Sequence, residues 1–243
     1  MFLQRLLHRE IQAVFLLITR HIEIALSLFA LFFFPGVLLH EFSHYVVALL
    51  LGVPVGRFSL VPQVLPAQAD RPAGKPARLQ LGFVETSSTD ILRDALIGTA
   101  PLVFGGLFIT YAGLVQLGLD QLWNGFLYGG KEVMIQNLEI VHARPDFWLW
   151  FYLIFAVSST MMPSASDRRA WIPIILAISL LLALSLLVGA GPWLEVHVAP
   201  PFNQALRALS VVMGISAGVH VVLLIPVYGL RILLNRLTGL EVA

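Results

Sequence analysis

Between Ile24 and Leu51 the chain carries no acidic, basic or imidazole side chain except His40, Glu41 and His44. Such a run can cross a bilayer, for which about 20 apolar residues suffice. Polar and ionisable groups at that depth are costly unless they are paired or bound, so three of them within five positions demand a partner. His40-Glu41-Phe42-Ser43-His44 sets two histidines four residues apart, on one face of a helix, with Glu41 beside them. Two imidazoles so placed can share a metal ion, and the carboxylate between them can take a proton from a metal-bound water.

Composition fits the same picture. Hydrophobic residues make up 58% of the 243 and charged residues 12%, with a mean hydropathy of +0.86; soluble domains average roughly a quarter charged. An all-α polytopic membrane protein is therefore expected, with the lipid bilayer as its solvent. The absence of cysteine excludes disulfides, thiolate catalysis and Cys-ligated zinc, and leaves His, Asp and Glu as ligands. A formal net charge of +1 makes no electrostatic case for nucleic acid as a partner.

About five transmembrane helices are predicted. The first runs from about His21 to Leu51, with Pro35-Gly36 expected to kink or break it. Ala95–Leu119, Phe147–Met162, Trp171–Ala190 and Leu206–Leu234 follow. Residues 1–20 alternate Arg5, His8, Arg9 and Arg20 with apolar positions and read as an interfacial helix leading into an uncleaved span. Residues 53–86 read as a membrane-associated β-hairpin, with strands at Val53–Val61 and Arg78–Thr86 and a loop at Pro62–Pro76. It is either a plain surface hairpin or a sheet edge on which an extended substrate adds a strand. Residues 120–146 read as a connecting loop or an interfacial lid, and are too few for an independent domain.

Catalytic zinc typically has three protein ligands and one open position. Asp167 is the best third donor. It follows Ser158–Ser166, where Pro163 should end the third span early and leave irregular backbone able to line a cavity. The first and third spans should run in the same direction, and at about 1.5 Å per residue His40, His44 and Asp167 all fall roughly 24–30 Å from one face. The alternative for Asp167 is a solvated position beside Arg168 and Arg169. His220 reads as an interhelical hydrogen bonder, Glu195 and His197 as loop residues in water, and His8, His21, Glu23 and His142 as interfacial. Ser43, Ser164 and Ser166 either line a water path or support the ligands.

Over Leu38–Leu60 the chain resembles the site-2 protease family of intramembrane zinc metalloproteases. His-Glu-Phe-Ser-His-Tyr, a following apolar helix and Gly52-Val-Pro-Val-Gly-Arg-Phe-Ser-Leu60 are similar to that family's catalytic helix and the β-hairpin after it. Pro163–Asp167 is a looser match to its aspartate-bearing segment, with Ser166-Asp167-Arg168 where the family usually has Leu-Asp-Gly. Ala100-Pro101-Leu102-Val103-Phe104 keeps the proline of the family's Gly-Pro-x-x-Asn and lacks the asparagine. The resemblance implies one Zn2+ held by His40, His44 and Asp167, with Glu41 as catalytic base. It also implies a membrane-protein or peptide substrate cut in or near a transmembrane segment, with Val53–Leu60 as a candidate substrate-binding strand. The chain would be a divergent, minimal, single-domain member in a prokaryotic plasma membrane.

Two other function classes remain. Ser216 and His220, four apart on one predicted helix, could form a serine nucleophile and base. A non-enzymatic scaffold or transporter could use a structural metal or polar site near the midplane.

Overall fold

A two-residue connection, Arg20 and His21, sets the arrangement of the first helices in this computed structural model, which describes residues 2–61, 63–65 and 78–240. Arg20 takes a left-handed backbone conformation (φ 56°) between α1 (Phe2–Thr19) and α2 (Ile22–Leu50). With so short a link the helices fold back on each other. Residues equally far from the turn meet: the His8 ring lies 5.4 Å from Phe29 and 4.7 Å from Phe33, centroid to centroid. The segment expected as an interfacial helix is thus a helix packed against α2 and α9 (Ala199–Thr238). It buries Leu7, Ile11, Val14 and Leu17, one helical stripe. Glu10 is 1% exposed and pairs with Arg231 of α9 at 2.6 Å.

The expected break at Pro35 does not occur. α2 continues through it for 29 residues, about 43 Å. Gly36 shows how the site is packed: a Cβ there would collide with the Ala156 carbonyl oxygen and the Thr160 hydroxyl of α6 (Phe147–Thr160). A proline is tolerated within a membrane helix when a neighbouring helix lies close against it. The α2–α6 contact is parallel, as counting the spans predicted. Phe32 meets Tyr152 at 5.5 Å and Phe33 meets Phe155 at 5.4 Å, and the Tyr152 hydroxyl donates to the Phe32 carbonyl at 2.8 Å. Gly36→Val is expected to destabilise the fold by about 1–3 kcal/mol through overpacking. Thermal unfolding in detergent measures this; an unchanged Tm would mean that the two helices do not need their close approach.

The hairpin has two tiers. β1 (Val55–Ser59) pairs antiparallel with β4 (Phe83–Thr86), with a register irregularity between Val55 and Phe58. Beyond it β2 (Gln63–Leu65) pairs antiparallel with β3 (Arg78–Gln80), so strand structure enters the stretch expected to be loop. Of that expected loop, residues 62 and 66–76 lie outside the described residues.

α3 (Ile91–Thr110) starts at Asp90, whose carboxylate accepts hydrogen bonds from the amides of Leu92 and Arg93 at 3.1 and 3.0 Å. Those amide hydrogen bonds, the Arg93 one first, hold the Asp90 carboxyl below its usual range. A π-helical stretch, Tyr111–Gln116, extends α3. The connector expected at 120–146 is largely helical, with α4 at Leu119–Asn124 and α5 at Gly130–His142. α7 (Trp171–Leu187), α8 (Gly191–His197) and α9 complete the order. The core runs where α1, α2, α3, α6 and α9 meet, around Phe33, Ile109, Ile154, Phe155 and Val219.

Among the described residues, three helices are long and apolar enough to cross a membrane: α2, α3 with its π extension, and α9. α6 and α7 are apolar but have only 14 and 17 residues. For α6 the reason is local, because the backbone leaves the helix at Met161, two residues before Pro163.

Candidate metal centre

His40 and His44 project from α2 towards the non-helical stretch that follows α6, and Asp167 of that stretch meets them. Each residue offers one ligand atom, and the three atoms lie within 4.8 Å of one another; among the described residues no other such group of His, Cys, Asp and Glu occurs. The separations are 3.3 Å between His40 Nε2 and His44 Nε2, 3.6 Å from His44 Nε2 to Asp167 Oδ1 and 3.8 Å from His40 Nε2 to Asp167 Oδ2. Donors about 2.0–2.1 Å from a tetrahedral zinc stand about 3.4 Å apart. The two Nε2 atoms stand at about that edge length, each faces a different oxygen of the Asp167 carboxylate slightly farther off, and two imidazoles with one carboxylate make a donor set suited to zinc.

The surroundings orient these donors. His44 Nδ1 lies 2.8 Å from the Ile97 carbonyl oxygen of α3. A carbonyl only accepts, so Nδ1 carries the proton, and in the neutral ring Nε2 turns a lone pair to the centre. Asp167 Oδ2 accepts the Ser164 amide at 2.6 Å, and the Asp167 amide donates to Ser164 Oγ at 3.3 Å. Ser166 Oγ is 2.7 Å from Ser164 Oγ. Ser164 therefore holds the Asp167 carboxylate, with Ser166 behind it. Ser43 instead donates to the His40 carbonyl at 2.7 Å, within its own helix, and is fully buried.

Glu41 is 9% exposed and sits under the hairpin. A Cβ on Gly82, the residue before β4, would come within 2.9 Å of Glu41 Cγ, 3.1 Å of Val37 Cγ1 and 3.2 Å of the Ser59 carbonyl oxygen. The hairpin thus packs backbone-first against the stem of this carboxylate, a close approach that favours glycine.

The other histidines are accounted for differently. His220 Nε2 is 3.0 Å from Ser159 Oγ of α6, and its Nδ1 is 2.7 Å from the Ser216 carbonyl oxygen. Both ring nitrogens are engaged and neither meets the Ser216 hydroxyl, so the serine–histidine reading has no geometric support. Glu195 and His197 belong to α8, not to a loop as expected, and His197 stacks on Trp193 with centroids 4.8 Å apart. His8, half-buried, packs against the Phe29 and Phe33 rings of α2.

Sequence reasoning missed the residues that brace the centre: Asp94, Ile97 and Gly98 of α3, Arg169 and Gly82. The glycines carried a weak signal, since glycine in a helix or beside a strand often marks close approach. The pairing of Arg169 with Asp94 carried none.

No family model, no curated protein and no solved structure matches this chain.

Proposed function

We propose that the protein is a zinc-dependent intramembrane endopeptidase of the site-2 protease type. The supporting observation is the convergence of His40, His44 and Asp167 from two distant segments, with one ligand atom of each within 4.8 Å of the others, at the C-terminal part of a membrane-length helix. The site-2 protease resemblance over Leu38–Leu60 points the same way. In this reading α6 and α7 make two further, shorter passages through the bilayer, for about five in all.

His40, His44 and Asp167 would hold the zinc, which when bound would supply a Lewis acid and lower the pKa of water. Glu41 accepts the proton of the attacking water and later delivers it to the leaving amine. His44 holds its ring by the Ile97 carbonyl, so its lone pair stays aimed at the centre through both proton transfers. Among the described residues β1 and β4 pair only with each other, which leaves an outer edge for an extended substrate to join as a strand. Val53–Leu60 offers that edge close to Glu41. A scaffold or transporter with a structural metal is the other class, and it predicts no cleavage.

The expected result for the purified protein is one zinc per chain and cleavage of a membrane-protein reporter. Chelation should remove the activity and added zinc should restore it. Metal analysis showing no stoichiometric zinc would remove the basis of this function.

A further inference from the structure

The two halves of the centre come from different elements: α6, against which α2 packs, ends at Thr160, seven residues before Asp167. We infer that the start of α3, from Asp94 to Pro101, is the positioning element that fixes His44 and the Asp167 segment relative to one another. This rests on the metal centre proposed above.

Pro101 is central to it. In an α-helix the Ile97 carbonyl would accept from the amide of residue 101, and proline has no N–H to give. Pro101 is fully buried inside α3, so the Ile97 carbonyl is released from the helical ladder. It is this oxygen that lies 2.8 Å from His44 Nδ1. The proline thereby creates the acceptor that fixes the His44 tautomer and ring angle.

The same turns of α3 grip the other half. Arg169 Nε and Nη2 donate to Asp94 Oδ2 and Oδ1 at 2.7 and 2.6 Å, a bidentate pair. Gly98, one turn after Asp94 and on the same face, lies so close to the Asp167 backbone that a Cβ would collide with the Asp167 carbonyl oxygen. Asp94 and Gly98 therefore set the Asp167 segment, while Ile97 sets His44.

The test compares full-length wild type, Pro101→Ala, Asp94→Asn and the exchange Asp94→Arg with Arg169→Asp, all purified in detergent. Zinc affinity is measured by competition with a chelating dye, cobalt(II) absorption reports ligand geometry, and Tm is recorded without metal. Altering a group that orients a ligand typically weakens metal binding by about 10-fold to 100-fold. Pro101→Ala should show that loss and an altered cobalt spectrum, with Tm unchanged or raised because alanine suits a helix better. Asp94→Asn should weaken zinc similarly, and the exchange should recover part of the loss. Wild-type affinity and spectrum in both single variants, in a wild type that does bind zinc, overturn this inference alone. A wild type that binds no zinc overturns it together with the proposed function.

Discussion

Glu41→Gln should keep the zinc and lose cleavage by about 100-fold to 10,000-fold, the range that a positioned general base contributes. Glutamine has the shape of glutamate, so the buried stem beneath Gly82 stays filled. What disappears is the proton acceptor. His40, His44 and Asp167 keep their donor atoms, and zinc content should remain at the wild-type level. Metal analysis and a reporter cleavage assay on the same preparation check both halves. A variant that still cleaves normally would end the protease reading. One that loses its zinc would make Glu41 a residue of the fold or of the ligand set.

Asp167→Ala should cut zinc affinity by more than about 100-fold, since removing a ligand costs more than disturbing the group that orients it. Two imidazoles with Nε2 atoms 3.3 Å apart do not complete a zinc site alone. The Ser164 amide also loses its acceptor, so the 161–170 segment should loosen as well. Asp167→Asn separates these effects, because its amide oxygen can still accept from Ser164 while its charge is gone. Chelator competition at equilibrium reads both variants. Unchanged zinc content in Asp167→Ala would place the third ligand elsewhere.

Much of this centre was legible because membrane depth is a one-dimensional problem. An apolar run of that length leaves few arrangements for His40, Glu41 and His44, and counting passages makes the first and third helices parallel. Depth then selected Asp167, and the structure brings it to the two histidines. The rest depends on lateral packing, which depth does not encode. Pro35-Gly36 read as a kink or a break; the helix continues through it, and Gly36 lets α6 press close against it. The charged N-terminal helix looked interfacial, yet Glu10 finds Arg231 across the bundle. Glu195 and His197 sat between prolines and still form a helix, with proline tolerated in its first turn. Arg169 and Asp94 are 75 residues apart, and no local pattern signals such a pair. α6 ends two residues short of the expected Met162, because Met161 and Met162 continue the apolar signal after the backbone has left the helix.

The close seat of Gly82 on the Glu41 stem has a consequence for engineering. Hairpins grafted here from other sources could vary their outer strands and tip, but each donor would have to keep this single position small. A library that randomises residue 82 should return mostly glycine and alanine among active clones, with larger side chains lost, whatever substrate is used for selection.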